Sequence, residues 1–154
     1  MPYVITGPFL ATAVLCEGAN RDTSGALTIT RIVDSIILPP AARQASKAPR
    51  FPGRGDAPSA VEQNLPPAVE LTLVVIFRSG QFRGSGEIAV QQISPSGAFA
   101  PAIVFPTFFQ GEDHGAGVIA KLGLTIQAEG LHWFEISLGG QPITRIPLRV
   151  AFQS

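Results

Sequence analysis

Charged side chains are scarce. They make up 14% of the 154 residues, against about 25% in an ordinary soluble protein, while 45% are hydrophobic. So few charges leave much of the surface neutral, which is easier to tolerate where a partner covers part of it. Eleven basic residues balance eleven acidic ones, so the net charge is zero. Without a net field the chain has no long-range pull on DNA, RNA or an anionic membrane, and no nucleic-acid partner is expected.

Cysteine is scarcer still. Cys16 stands alone, which excludes an intrachain disulfide and a cysteine-based zinc site and fits a reducing compartment. No apolar run is long enough to span a bilayer, so no membrane span is expected. Phe9 to Cys16 (FLATAVLC) has the outline of a lipoprotein signal. However, no Lys or Arg precedes it, and Leu15 stands where a small residue is needed. A buried first strand and a cytoplasmic location are the expectation.

Helical periodicity is missing too. Ser59-Ala60-Val61-Glu62 fits a capping box but runs into Leu65-Pro66-Pro67 after one turn. What the chain has instead is short runs of β-branched and aromatic residues separated by Gly, Pro, Asn, Asp and Ser. Eight strands are expected, near residues 9–17, 26–37, 69–79, 84–94, 99–109, 117–127, 131–139 and 143–152. Ile146, Leu148, Val150 and Phe152 share one face of the last, with Arg145, Arg149 and Gln153 opposite. The third (ELTLVVIF) is apolar on both faces, as an interior strand would be. Gly139-Gly140 suits a tight hairpin, because glycine accepts positive φ without strain. The expected architecture is all-β: a two-sheet antiparallel β-sandwich of about eight strands in one domain spanning 1–154. Its core is expected to hold Leu27, Ile29, Leu73, Val75, Leu122, Leu124, Phe134, Ile136, Ile146, Leu148 and Val150.

A long insertion interrupts strands two and three. Residues 39–68 contain seven of the fourteen prolines, with Arg43, Lys47, Arg50 and Arg54 close together and Phe51 among them. Insertions of this length in compact domains are functional or disordered. An extended arm that contacts another protein is the reading taken, since proline-restricted chain loses less entropy on ordering.

The final hairpin runs Gly130-Leu131-His132-Trp133-Phe134-Glu135-Ile136-Ser137-Leu138-Gly139-Gly140, then Ile143-Thr144-Arg145-Ile146-Pro147-Leu148-Arg149-Val150. Near the start stand Leu15-Cys16-Glu17 and Gly25-Ala26-Leu27-Thr28-Ile29. Together these segments resemble an uncharacterised family of small bacterial β-sandwich proteins, similar in shape to C2 or immunoglobulin-like domains. The resemblance implies the fold and a bacterial origin, and it brings no catalytic residues.

Residues able to carry chemistry are few. Glu112-Asp113-His114, between Gly111 and Gly115, is the densest polar cluster and the candidate for a metal or general-base site. Adjacent residues seldom converge on one ion, so a solvated turn is the competing reading. A calcium site of C2 type needs several aspartates. Asp22 and Asp113 both lie in inter-strand loops where they could meet. Cys16 with His114 or His132 as base lacks any flanking signature of a thiol enzyme, and core packing is the better reading. Gly84-Ser85-Gly86 and Ser94-Pro95-Ser96-Gly97 lack a nucleophile elbow, and Gly80 to Gly86 lacks the lysine and helix of a phosphate loop. Arg54-Gly55-Asp56 matches an integrin-recognition tripeptide and reads as a turn. His132 and Trp133 fall on opposite faces of one strand, His132 as an ordinary strand residue, Trp133 in the core or on a surface.

Ala98 to Phe109 (AFAPAIVFPTFF) is aromatic and carries Pro101 and Pro106, which marks an edge strand. Phe105, Phe108 and Phe109 there, with Arg43, Lys47, Arg50, Phe51 and Arg54 in the arm, are the candidate interaction residues. The leading expectation is a non-enzymatic protein acting through protein–protein contacts or self-association, with no cofactor. A C2-like ligand- or metal-binding module is the alternative. A hydrolase built on the acidic-histidine loop comes third.

Overall fold

In a computed structural model of the chain, residues 7–39 and 68–153 are described. They form nine strands and no helix: β1 (Phe9–Arg21), β2 (Leu27–Ile32), β3 (Ser35–Leu38), β4 (Ala68–Arg78), β5 (Arg83–Ile93), β6 (Ile103–Gln110), β7 (Gly115–Thr125), β8 (Gly130–Leu138) and β9 (Gln141–Phe152). A four-stranded sheet has the order β2-β1-β4-β7, and a five-stranded sheet the order β3-β9-β8-β5-β6. The five-stranded sheet curls like half a barrel.

One hydrophobic core is shared by the two sheets. Leu15, Leu73, Val75, Phe77, Leu122 and Leu124 enter it from the first, and Ile88, Val90, Phe109, Phe134, Ile136, Ile146 and Leu148 from the second. Along β7 and β9 the buried residues alternate with exposed ones and along β8 with half-buried ones, so the period-two pattern in the sequence becomes the inward and outward faces. β4 lies between β1 and β7 and is buried without interruption from Leu71 to Val75, as an interior strand. Leu27 and Ile29, expected in the core, are only half-buried. They sit on β2, which has a neighbour on one side alone.

The expected second strand is two strands. Arg31 adopts φ 53° near the end of β2, and the interruption itself falls at Val33 and Asp34, after Ile32 has paired with Cys16. Val33 then donates to the Leu15 carbonyl at 2.8 Å, and the Asp34 carbonyl accepts from Arg149 at 2.9 Å. These bonds hand the chain from one sheet to the other, where β3 runs parallel to β9. The five-stranded sheet is therefore mixed, and the expectation of purely antiparallel sheets is corrected at this pair. The proline-rich segment follows β3, not a single long second strand. Its residues 40–67, with Arg43, Lys47, Arg50, Phe51 and Arg54, lie outside the described residues.

Candidate functional site

The acidic-histidine loop crosses between sheets, from β6 to β7. Glu112 and Asp113 take φ 50° and 57°, and His114 donates its backbone N–H to the Gly111 carbonyl at 3.0 Å. Two consecutive positive φ values inside an i to i+3 bond make a type I′ turn. The loop is bolted to the other crossing, from β4 to β5. The buried Ser79 donates its N–H and its hydroxyl to the His114 carbonyl at 2.9 and 2.8 Å, and Asp113 donates its N–H to the Gly80 carbonyl. Arg78 grips the Asp113 carboxylate with both Nε (3.3 Å) and Nη2 (2.9 Å). That guanidinium holds the Asp113 carboxyl below its ordinary range. The His114 ring folds back on its own turn, Nδ1 lying 3.0 Å from the Gly111 carbonyl. This cluster is a clamp between crossings.

Asp22 is committed elsewhere. Its Oδ1 accepts from the backbone of Ser24 and Ala26 and from the Ser24 hydroxyl, closing the β1–β2 hairpin. Those bonds, the Ser24 hydroxyl first, lower its pKa. Asp22 follows Arg21 at one end of β1, whereas Phe9 at the other end faces Arg78, the partner of Asp113. The two aspartates therefore stand at opposite ends of a thirteen-residue strand and do not meet. Among the described residues no three His, Cys, Asp or Glu side chains gather as metal ligands.

Cys16 is fully buried, and its single S–H has the Gly18 carbonyl at 3.3 Å and the Thr72 carbonyl at 3.5 Å as acceptors within reach. Burial pushes the thiol pKa up, away from a reactive thiolate.

The β6 strand is at the edge of its sheet, as Pro101 and Pro106 led one to expect, although only Pro106 falls within the strand. Its three candidate phenylalanines separate by parity. Phe109 is fully buried, edge-on to Phe77 and to Phe82, and Phe105 packs half-buried against the core. Phe109 is thus a core residue, and its assignment to an interaction surface is corrected. Phe108 points the other way and is 54% exposed, alongside Val104 at 49%. Pro106 stands between them, and a shallow groove of about 480 Å³ runs past Ser85, Glu87, Pro106 and Phe108.

On β8 the faces divide as expected, but His132 is buried and Trp133 half-buried on the outward side. His132 Nε2 donates to the Ala128 carbonyl at 2.8 Å, leaving Nδ1 to face the Gln92 amide at 3.5 Å. Sequence reasoning passed over Gln92. Its signal was present: Ile88 and Val90 mark the inward positions of β5, and Gln92 is the next one.

No family model matches the chain, and no curated protein matches it. Among solved structures, an alkylpurine DNA glycosylase (AlkC) of Pseudomonas fluorescens, bound to DNA containing an abasic site analog, is similar at 14% identity with a TM-score of 0.40. The alignment covers 54% of this chain and 26% of that one. A likeness at this level transfers neither fold nor function. The resemblance to small bacterial sandwich proteins therefore rests on the residues quoted for it alone.

Proposed function

We propose that the chain is a non-enzymatic β-sandwich from the bacterial cytoplasm, an assembly subunit whose copies associate through the outer face of the β5–β6 hairpin. The observation that carries this reading is an edge strand without a charged side chain that turns Val104 and Phe108 to solvent. Natural edges carry charges, prolines or covers that discourage association. β6 has only the proline. Pro106 removes one backbone donor, which disfavours strand addition and leaves side-chain packing as the mode of contact.

A second copy is the occupant that fits. A two-fold contact sets the same patch against itself, and the side chains that β6 brings to it, Val104 and Phe108, are uncharged, with Glu87 of β5 as the carboxylate beside Pro106. The zero net charge removes the long-range repulsion that keeps charged copies apart. The groove beside Phe108 accepts an apolar side chain from the facing subunit. Neither nucleic acid nor a cofactor enters this reading.

Sedimentation of the wild-type chain and of the double variant Val104→Glu, Phe108→Glu tests it. Both positions are exposed, so the variant keeps its circular dichroism spectrum and Tm. The expected result is a concentration-dependent dimer for the wild type and a monomer for the variant. A wild-type chain that stays monomeric as concentration rises overturns the proposal, as does a variant that associates equally well.

A further inference from the structure

The core-facing positions of β5 run Ile88, Val90, Gln92, and those of β8 run Ile136, Phe134, His132. At the same end of both strands the inward residues change from apolar to polar. A cleft of about 500 Å³ opens there, within the size range of small-molecule sites. Gln92 and His132 form its inner wall, Ser94 and Phe99 come from the β5–β6 connection, and Thr125 and Gln127 from the end of β7.

The chemistry of this lining is selective. Neither carboxylate nor guanidinium nor lysine ammonium lines the cleft. A charged ligand would lose hydration there without a counter-charge, which disfavours phosphates, carboxylates and metal cations. Two amides (Gln92, Gln127) and three hydroxyls (Ser94, Ser96, Thr125) supply both donors and acceptors. The Gln92 amide nitrogen lies 3.5 Å from His132 Nδ1. Phe99 is 60% exposed at the mouth, an aromatic face beside hydrogen-bonding groups.

We infer that the cleft binds a neutral saccharide. Such a ligand pairs C–H faces, which pack on the Phe99 ring, with hydroxyls, which bond to Gln92, Ser94, Thr125 and Gln127. It needs no charge from the protein. An extended peptide satisfies itself instead with main-chain bonds at a sheet edge, and this lining presents side chains from β5, β8, the β5–β6 connection and the end of β7.

The site is distinct from the Val104–Phe108 face, so its test is independent of self-association. Cellotetraose, maltotetraose, mannotetraose and chitotetraose are titrated into the 154-residue chain with NMR detection, with tetragalacturonate as the anionic control. The expected result is a saturable shift of the Gln92 and Gln127 side-chain amides with at least one neutral probe. Tetragalacturonate should produce none. Phe99→Ala, at an exposed position, abolishes the shift while the spectrum stays folded, and Gln127→Ala weakens it at least several-fold. Stationary Gln92 and Gln127 resonances with all four neutral probes overturn the inference. So do shifts that persist unchanged in Phe99→Ala, or a response to tetragalacturonate equal to that of the neutral probes.

Discussion

The rings of Phe77 and Phe109 meet edge-on across the two sheets, centroids 6.3 Å apart and planes at 85°. The contact joins the interior strand of one sheet to the edge strand of the other, and Phe82 closes over it at 5.6 Å. Phe109→Ala is therefore expected to cost about 3–5 kcal/mol, whereas Phe108→Ala, one residue away on the outer face, stays within about 0.5 kcal/mol in the monomer. Urea unfolding of the two variants at low protein concentration measures the difference. Equal losses would show that the parity of β6 is misassigned.

Gly117 is exposed, yet it leaves no room for a side chain. A Cβ there would run into the Val75 carbonyl across the β4–β7 ladder, and main chain cannot swing aside as a side chain does. Gly117→Ala is expected to destabilise by about 1–3 kcal/mol, well beyond an ordinary surface change. Gly123→Ala, on the same strand with open space around it, is the control. A Tm drop confined to the first variant is the expected outcome.

The Arg78–Asp113 pair sets a pH dependence. The folded carboxyl titrates below its unfolded value of about 3.9, so the folded state binds fewer protons in that range. Its contribution is complete above the unfolded pKa and disappears as pH falls through the folded one. Both side chains are about half exposed, so the effect is small. Relative to Asp113→Asn, the wild type should have the higher Tm near neutrality, and the gap should close on acidification. A gap that persists at the lowest pH where both still fold would contradict the assignment.

Cys16 is expected to resist thiol reagents in the native state. Its burial and raised pKa leave modification to transient opening. Labelling should accelerate strongly in denaturant and track the loss of native structure. Labelling of the native chain at the rate of the unfolded one would place the thiol at the surface.

Alternation made most of the strands legible. Ile146, Leu148 and Val150 are buried where period two put them, and Arg145 and Arg149 are outside. The break after Ile32 was not legible, because nothing in Ile-Val-Asp-Ser announces it; the bonds at that point are tertiary, from Val33 to the Leu15 carbonyl and from Arg149 to the Asp34 carbonyl. Phe109 was misplaced for a different reason. Reading residues 98–109 as one aromatic patch ignored that positions 105 and 109 share a face and 108 does not. The acidic-histidine cluster showed its composition in the sequence but not its role, since the bonds that define it come from Arg78 and Ser79, more than thirty residues upstream. The polar end of the core was readable at Gln92 and His132, as polar residues in inward register.

The parallel pairing of β3 with β9 joins residues more than one hundred positions apart, Ser35 beside Arg149. During synthesis β3 leaves the ribosome long before its partner exists, and the entropy of closing so long a loop falls on this contact. Until β9 arrives, β3 is a short apolar strand (SIIL) with no neighbour in its sheet. The β3 edge of the five-stranded sheet thus waits for β9, and the nascent chain holds Ile36 to Leu38 without their sheet partner until β9 has been made. Slow, late protection of the Ile36–Leu38 amides in pulsed hydrogen exchange would be the signature of that order.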